Sequence, residues 1–240
     1  MNQVLFGDCF NLLPQIPDKS IDMILTDPPF NKIKASWESK IDLLTLWSEY
    51  HRIIKDNGAI LIFGIQPFSS MVVTSNIKEY KYQWVWRKSQ AGNFAVAKHM
   101  PLTVCEDILV FGKGKINYYP QMIERNKPRY VGGKSSIKNG RGLGGLENVY
   151  RYSTHAYPTN ILDFPVVERR KSLHPSQKSV SLLEYLVKTY TQEGNIVLDT
   201  FAGSGSTAIA AKNLNRQYIV MEKEKEYYDI ILKRIETNEQ

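Results

Sequence analysis

The sequence predicts an α/β protein built on a doubly wound, mostly parallel β-sheet, and three observations carry that prediction. Short apolar runs at 21–26 and 59–64 suit parallel strands that are covered on both faces. Helical stretches with one apolar side alternate with these runs, as they do in βαβ units. Residues 196–222 read as strand, glycine turn, helix and strand, the order that is typical of nucleotide-binding sheets.

The bulk properties indicate one large domain with an insertion. The 240 residues are 42% hydrophobic and 23% charged, which is ordinary for a globular protein that folds alone. Cys9 and Cys105 lack metal-ligand spacing, so we expect neither a disulfide framework nor a metal site. Because no basic leader and no long apolar run is evident, we expect a cytoplasmic protein without a membrane span.

The positive charge is concentrated in one segment. The net charge is +7 with a pI near 9.2, and residues 113–151 alone hold nine Lys or Arg against two acids. Eight of the fifteen glycines lie at 112–145, and six of the fourteen tyrosines lie at 118–157. Clustered cations favour a polyanionic partner, because each neutralised phosphate releases counterions.

The elements follow from periodicity and from turn residues. In the first half we expect a strand at 3–7, a brief helix at 10–16, the strand 21–26, a helix at 41–54 that Asn57-Gly58 ends, the strand 59–64 and a helix from about 66. Aromatic residues alternate along a strand at 82–87, where we expect Trp84 and Trp86 to pack in the core. A strand at 106–111, a helix at 180–190 and a charged final helix at 222–235 complete the prediction.

The stretch Asp27-Pro28-Pro29-Phe30 follows the strand 21–26, so its acid lies at a strand tip. Two prolines fix φ, remove two N–H donors and leave carbonyl oxygens free to accept hydrogen bonds. A carboxylate, a proline carbonyl and an aromatic face can together hold a planar group that bears an NH2. The plain alternative is that Pro-Pro only ends the strand.

A second turn of interest follows the strand 196–199. Gly203 and Gly205 with the small Ala208 fit the nucleotide-binding fingerprint, and Glu222 has the spacing of an acid that holds a ribose hydroxyl pair. On these residues alone, the turn suits a dinucleotide or another adenine-containing cofactor.

Taken together, the chain resembles the DNA amino-methyltransferases, specifically the permuted, beta-class-like group of N6-adenine type in which the catalytic motif precedes the cofactor motif. The matching pieces are Asp27-Pro28-Pro29-Phe30, the loop 199–205, Glu222, Gly7-Asp8-Cys9 and His174-Pro175-Ser176-Gln177-Lys178. They span nearly the whole chain except about 113–160. The resemblance implies a seven-stranded, Rossmann-like methyltransferase sheet with an inserted target-recognition region. Phe30 stands where that family more often has Tyr.

The resemblance also implies roles for the matching residues. The catalytic residues would be Asp27, Pro28, Pro29 and Phe30. The residues that bind S-adenosylmethionine would be Asp8, Cys9, Asp27, Lys178, Asp199, Phe201, Ala202, Gly203, Gly205, Thr207 and Glu222. A charge argument favours this cofactor over a dinucleotide, because Asp199 would repel a pyrophosphate whereas Asp199 and Asp27 would attract a sulfonium and an ammonium.

Three parts of the chain follow from this assignment. Residues 1–112 would be the catalytic part of the methyltransferase domain, 113–165 a basic Gly/Tyr-rich target-recognition insertion, and 166–240 the cofactor-binding part of the same domain. In the resembled family, the loop after the strand 82–87 approaches the flipped base, which makes Phe94 and His99 candidates for base contacts. The expected DNA-contacting cations are Lys88, Lys98, Arg125, Lys127, Arg129, Lys134, Lys138 and Arg141.

The function implied is site-specific methylation of the N6 amine of adenine in double-stranded DNA. Four alternatives stay open at this point: N4-cytosine methylation by the same fold, methylation of RNA or of protein glutamine, a nicotinamide-dependent oxidoreductase, and a catalytically silent DNA-binding module. A homodimer and a cognate restriction endonuclease also stay open as partners.

Overall fold

The computed structural model describes residues 2–29, 41–134, 148–168, 170 and 172–237, with 130–134 and 148–151 described by their backbone alone. Two compact units are present: Met1–Tyr119 together with Asn160–Gln240, and Pro120–Thr159. Both edges of the second unit lie inside the segment 113–165 that composition marks as an insertion.

The larger unit contains eight strands and six helices among its described residues. Before the smaller unit they are β1 (Gln3–Phe6), α1 (Cys9–Leu12), β2 (Ile21–Thr26), α2 (Leu43–Ile53), β3 (Ile54–Gly64), α3 (Phe68–Ser75), β4 (Tyr80–Gly92) and β5 (Thr103–Phe111). The smaller unit contains β6 (Ile123–Lys134) and β7 (Asn148–Ala156). After it, the larger unit continues with β8 (Ile161–Phe164), α4 (Val180–Tyr190), β9 (Ile196–Asp199), α5 (Ser206–Asn213), β10 (Gln217–Glu222) and α6 (Lys225–Thr237). Short 3₁₀ turns lie at Leu13–Gln15 and Phe94–Val96.

The eight strands form one sheet in the order β1-β10-β9-β2-β3-β5-β4-β8. The first five are mutually parallel, β5 runs antiparallel to both of its neighbours, and β8 is parallel to β4. The mostly parallel sheet is therefore confirmed. The direction of β5 places its beginning at the edge where β2 and β3 end.

The sheet has one strand more than the seven expected. The additional strand, β8, lies in the segment 113–165 that the sequence assigned to the insertion, but it pairs with β4 over Val85↔Ile161 to Lys88↔Phe164. Leu162 is buried, and the carbonyl of Phe164 accepts the indole N–H of Trp86 at 2.8 Å. These contacts extend the sheet edge, which composition alone does not reveal.

Helices cover both faces of the sheet. One core cluster joins the apolar sides of α4, α5 and α6 to strand residues such as Leu61 and Phe63, and the other joins α1, α2 and α3 to Ile60 and Ile62. Successive strand residues thus point to opposite layers, as expected for strands buried on both sides. The doubly wound prediction is confirmed. Within the described residues, no helix is both long and apolar enough to cross a bilayer.

Two local predictions were wrong. Asn57-Gly58 does not end a helix, because α2 passes directly into β3 at Ile54. A Cβ on Gly58 would lie 2.9 Å from the carbonyl oxygen of Asp22, so this glycine permits a close approach between strands. The helix expected at 10–16 divides into α1 and a 3₁₀ turn that contains Pro14, which cannot donate a helical hydrogen bond.

The core prediction for the two tryptophans is confirmed. Trp84 is 3% exposed and Trp86 is 2% exposed. The indole N–H of Trp84 donates to the hydroxyl of Tyr190 at 2.6 Å, so a hydrogen bond as well as apolar contact fixes β4 against α4.

The smaller unit is an antiparallel pair of strands, β6 and β7, with a register shift between Glu124 and Arg129. Pro128 lies in this shift and lacks the N–H that a regular ladder needs. Arg125 donates from Nε to the carbonyl of His155 at 2.9 Å and thereby ties the two strands together.

Candidate active site

The two strand tips singled out by the sequence lie side by side. β2 pairs with β9 in parallel through Met23↔Val197 and Ile24↔Leu198. Just beyond these pairs, the hydroxyl of Thr26 donates to Oδ1 of Asp199 at 3.0 Å. The chain therefore brings the acid-diproline corner next to the glycine turn, although the two are separated by more than 170 positions in the sequence.

A buried hydrogen-bond chain joins the two tips to α2. Oγ1 of Thr26 lies 3.2 Å from Oγ1 of Thr200, which lies 2.5 Å from the hydroxyl of Tyr50. Burial strongly raises the pKa of Tyr50, so its hydroxyl stays protonated and able to donate. This chain fixes the tip of β2 relative to the tip of β9.

Asp199 acts within the protein rather than on the wall of a cavity. Its Oδ1 accepts from the N–H of Phe201 at 3.1 Å as well as from Thr26, and its Oδ2 accepts from the hydroxyl of Thr207 at 2.6 Å. Asp199 is 4% exposed and Thr207 is also 4% exposed. Burial raises the pKa of Asp199 to about 6, although these hydrogen bonds oppose the shift. The hydrogen-bonding capacity of Asp199 is thus used within its own corner, and its role in selecting the charge of the ligand stays a prediction.

A cavity of about 460 Å³ opens at this edge of the sheet, a size typical of small-molecule sites. Its described lining contains the acids Asp8, Asp27, Glu106, Glu222 and Glu224 but only the lysines Lys178 and Lys223. The excess of carboxylates disfavours a pyrophosphate and favours a cationic ligand. The charge selection expected of Asp199 is thus available from other acids.

Asp27 belongs to a row of alternating charges. The ammonium of Lys178 binds Oδ2 of Asp27 and lies 3.6 Å from Oε2 of Glu106, while Lys88 binds Oε1 of Glu106. The side chains of Lys178 and Glu106 are 9% and 11% exposed, so little water screens these pairs. We call Asp27, Lys178, Glu106 and Lys88 the charged row.

One oxygen of Asp27 lacks a hydrogen-bond donor. Within the described part of the chain, Oδ1 of Asp27 is buried and accepts no hydrogen bond. A buried carboxylate oxygen without a donor is costly. Since Asp27 and the adjacent Pro28 both line the cavity, a ligand that supplies N–H groups there would satisfy this oxygen.

The charged row controls the ionisation of its members. Burial raises the pKa of Asp27, and the positive charge of Lys178 opposes that shift. Burial would also raise the pKa of Glu106, but Lys178 and Lys88 together hold it below its usual value. Burial alone would lower the pKa of Lys178, yet the two acids raise it. Lys178 therefore stays charged between them.

The glycine turn forms the opposite wall. Gly203 has a φ of +52°, and a Cβ at this position would lie 3.4 Å from the ring of His174. Its N–H donates to Oε2 of Glu222 at 2.8 Å. Burial lowers the pKa of His174 to about 4, so its imidazole is neutral at neutral pH. The left-handed backbone of Gly203, rather than a lack of space, is therefore what favours glycine at this position.

Gly205 and Ala202 shape the same turn from behind. Gly205 has a φ of +79°, and a Cβ there would lie 2.9 Å from Ile231 of α6. The N–H of Ala202 donates to the carbonyl of Met221 at 3.0 Å, which holds the loop to β10. These two residues, with Asp199 and Thr207, support the turn, whereas Phe201, Gly203 and Glu222 line the cavity.

Asp8 and Cys9 lie on the third side. Oδ1 of Asp8 accepts from the N–H of Phe10 at 2.9 Å and caps α1. Burial raises the pKa of Cys9 to about 12, so the thiol is protonated and contributes an apolar surface. Both residues line the cavity as well, so capping does not exclude Asp8 from ligand contact.

The remaining predicted residues separate into three groups. Pro28, Pro29 and Lys178 line the cavity beside Asp27, whereas Phe30 lies outside the described residues. Lys88, expected to contact DNA, instead pairs with Glu106 in the charged row. Of the other expected DNA contacts, Lys98, Lys127 and Arg129 are exposed and Arg125 is half-buried; only the backbone of Lys134 is described, and Lys138 and Arg141 lie outside the described residues. Phe94 and His99 are exposed.

Sequence reasoning missed several lining residues, above all Glu106. Two consecutive acids, Glu106-Asp107, interrupt the apolar pattern of β5, and this was the available signal. Its meaning depends on the antiparallel direction of β5, which brings Glu106 to the edge where β2 ends. Tyr227 was also missed as a lining residue, whereas Thr200 and His174 belong to motifs that the resemblance already included.

Comparisons with known proteins identify relatives over nearly the full chain. The sequence model of a DNA methylase family, N6_N4_Mtase, matches residues 21–233. The chain is 30% identical to the type II methyltransferase M.BglII of Bacillus subtilis, over 96% of this chain and 68% of the relative. It is 28% identical to the DNA adenine methyltransferase YhdJ of Escherichia coli K12, over 97% of this chain and 82% of that protein.

The fold is also that of a solved structure. The crystal structure of an M1.HpyAVI–SAM complex superimposes with a TM-score of 0.65 at 24% identity, covering 98% of this chain and 99% of that chain. At this identity the likeness concerns the fold.

Proposed function

Because the chain belongs to the N6/N4 DNA methylase family, we propose that this DNA methyltransferase transfers a methyl group from S-adenosylmethionine to the N6 amine of adenine in double-stranded DNA. The observation that carries the proposal is Oδ1 of Asp27, which accepts no hydrogen bond from any described residue, in a residue that lines an acid-rich cavity beside the glycine turn. The site specificity, a homodimer and a cognate restriction endonuclease stay predictions.

The cavity fits S-adenosylmethionine in size and in charge. A volume of about 460 Å³ suits a nucleoside-sized ligand, and the surplus of carboxylates suits a sulfonium and an ammonium. When bound, this cofactor supplies a methyl group on a positively charged sulfur. The M1.HpyAVI structure carries SAM on the same fold, which supports the assignment.

The residues that would hold the cofactor lie around the glycine turn. Glu222 would accept from the ribose hydroxyls, since its two oxygens each accept one backbone N–H, from Gly203 and from Glu224 at 2.8 Å, and a carboxylate has further lone pairs. Gly203 would lie against the cofactor, since it lines the cavity without a side chain of its own. Asp8 would accept from the adenine amine.

The acceptor amine is activated by two hydrogen bonds. The exocyclic amine of adenine is a poor nucleophile because its lone pair is delocalised into the ring. Oδ1 of Asp27 and the carbonyl of Pro28 would accept one N–H each and favour a tetrahedral nitrogen whose lone pair faces the methyl group. Alignment of this kind can lower the activation free energy on the order of 7–11 kcal/mol.

The bond changes balance without a metal or a redox group. The amine nitrogen would displace the methyl group directly, so that the nitrogen–carbon bond forms as the bond from that carbon to its donor breaks, and the proton lost from the methylated amine would pass to Oδ1 of Asp27 and on to solvent. Reaching the amine requires the base to leave the duplex, and Phe30 would stack on the everted ring. Exposed cations such as Lys127 and Arg129 would contact phosphates.

The choice of adenine over cytosine rests on residue type and on a relative. Asp at position 27, rather than Ser, favours N6 of adenine, and YhdJ is named a DNA adenine methyltransferase. N4 of cytosine is the second candidate, because the family includes both chemistries and the same two acceptors would serve that amine.

The test is product identification. The protein is incubated with duplex DNA and S-adenosylmethionine labelled in its methyl group, and the DNA is digested to nucleosides. We expect the label in the nucleoside N6-methyldeoxyadenosine. Label in N4-methyldeoxycytidine would show that cytosine, not adenine, is the methylated base. DNA that is bound but stays unlabelled would favour a catalytically silent module.

A further inference from the structure

Glu106 is a buried charge that the proposed reaction does not use. It lies on β5, lines the same cavity as Asp27 and is 11% exposed. A buried carboxylate is costly unless it is paired. Here two cations compensate it, since Lys88 binds Oε1 and the ammonium of Lys178 lies 3.6 Å from Oε2.

Lys178 needs outside support to hold a defined position. It comes from the stretch before α4 rather than from a strand, and a lysine carries a compact charge on a flexible four-carbon stem. Two strand-borne acids flank its ammonium, Asp27 beyond β2 and Glu106 within β5. The ring of Phe63 lies 5.0 Å from it. Glu106 is therefore the partner that the sheet itself fixes.

Asp27 is held at one oxygen only. Lys178 binds Oδ2, and Oδ1 is buried and accepts no hydrogen bond from any described residue. A carboxylate held at Oδ2 has its plane set, which leaves Oδ1 in one place. The position of Oδ1 therefore depends on the position of the Lys178 ammonium, which in turn depends on Glu106.

We propose that Glu106 is a positioning residue for methyl transfer, which fixes the Lys178 ammonium so that Lys178 holds Asp27 with its free oxygen presented to the target amine. This inference rests on the proposed function and extends the site to β5. Glu106 touches neither the methyl group nor the amine. It acts through Lys178.

The first test is a double-mutant cycle on kcat at saturating DNA and S-adenosylmethionine. E106Q keeps the shape of the side chain and should lower kcat on the order of 10- to 100-fold, since small misplacements of reacting groups have effects of this size. K178M should lower it at least as much. Because Glu106 acts through Lys178, K178M/E106Q should be no slower than K178M. Losses that multiply in the double variant would overturn the proposal.

The pH profile supplies a second readout that a packing role would not move. The charged groups facing Asp27 are Lys178, Glu106, Lys88 and Asp199, with His174 beyond Lys178. Lys178 lowers the pKa of Asp27 and Glu106 raises it. K178M should therefore move the acid limb of kcat to higher pH. E106Q loosens Lys178 and should move the limb the same way by a smaller amount, although loss of the Glu106 charge itself opposes that shift. A shift to lower pH with E106Q, as expected if Glu106 acts on Asp27 only through its own charge, or no shift in either variant, would contradict the proposal.

The matched control is D163N. Asp163 lies on β8 and pairs with Arg87 in an exposed ion pair, at 2.5 Å and 2.7 Å, next to the strand that carries Lys88. This variant should keep the kcat and the acid limb of the wild type. If the wild type transfers no methyl group to DNA, the proposed function fails; if it does so and E106Q matches it, only the inference about Glu106 fails. Should E106Q not fold, E106D takes its place in the cycle: it keeps the charge but withdraws it from Lys178, so kcat should still fall, and an unchanged kcat would overturn the proposal.

Discussion

Two aspartates stand at the tips of neighbouring parallel strands, and they differ in what their oxygens do. Asp199 at the end of β9 accepts three hydrogen bonds from Thr26, Phe201 and Thr207. Asp27, just beyond β2, has one oxygen held by Lys178 and the other without a donor among the described residues. The same side chain at equivalent places thus serves as a support in one corner and as an open acceptor in the other.

The difference teaches that an acid at a strand tip is not by itself a binding group. A carboxylate whose lone pairs are already taken by its own loop adds rigidity, because each bond removes a conformational choice from the turn. A buried oxygen without a donor instead represents a cost that a ligand can relieve. The four predictions below, from the largest expected effect to the smallest, test this division.

Asp27→Ala removes the open acceptor and has the largest expected effect. Methyl transfer should fall on the order of 10³-fold or more, because both positioning and hydrogen bonding to the amine are lost. Affinity for S-adenosylmethionine, measured by calorimetry, should largely survive, since the glycine turn holds the cofactor. A variant that keeps its activity would refute the role of Asp27.

Asp199→Asn removes the charge of the supporting corner and should change stability. Burial raises the pKa of Asp199 from 3.8 to about 6, so the folded state binds this proton more tightly than the unfolded state. The stability that the folded protein gains from this tighter proton binding is fully present below pH 3.8 and is lost as the pH rises through about 6. The wild type should therefore lose roughly 3 kcal/mol relative to D199N across that window.

The measurement is urea unfolding of the wild type and of D199N at a series of pH values. A difference in the free energy of unfolding that stays constant with pH would show that burial does not raise the pKa of Asp199. The exposed variant D163N serves as the control, and its difference from the wild type should not change between pH 4 and pH 6.

Glu222→Ala tests the part of the cavity formed by the glycine turn and the end of β10, where we expect the cofactor to bind. Loss of charge-assisted hydrogen bonds to the ribose should weaken S-adenosylmethionine binding about 10- to 100-fold. Gly203→Asp should weaken it too, because a side chain there meets His174 at a φ of +52°. Glu226→Ala, an exposed acid in the first turn of α6, is the matched control. Unchanged affinity in calorimetry would remove the glycine turn from the site.

Arg129→Glu should have the smallest effect and should leave both corners intact. Arg129 is exposed on β6, and a lost phosphate contact should reduce the slope of log K against log salt by about one. Fluorescence anisotropy with labelled duplex DNA at several salt concentrations measures that slope. Lys233→Glu, an exposed change of equal charge on α6, should leave it unchanged; an equal effect of the two variants would place the DNA contacts elsewhere.

Much of this fold and part of the site could be predicted from the sequence. The apolar runs gave the parallel strands, and the motifs gave Asp27, Gly203 and Glu222, because strand tips and glycine turns are local features. Each of these depended on short-range pattern.

The remainder depends on how distant segments meet. The pairing of Lys178 with Asp27 joins residues 151 positions apart, and no local pattern predicts it. Glu106 reaches the cavity only because β5 runs antiparallel to β3. Asp199 was assigned to ligand contact because the loop 199–205 matches the cofactor motif of the resembled family, whereas its hydrogen-bond partners become visible only in three dimensions.

The measurement that separates the two corners most directly is the single-turnover rate of methyl transfer for D27N and D199N, side by side, at saturating S-adenosylmethionine and neutral pH. Both changes replace one carboxylate oxygen by an NH2 at nearly constant shape. We predict that D27N is slower than the wild type by roughly 10²-fold or more, whereas D199N stays within about tenfold. Equal losses, or a larger loss in D199N, would contradict the division between an open acceptor and a support.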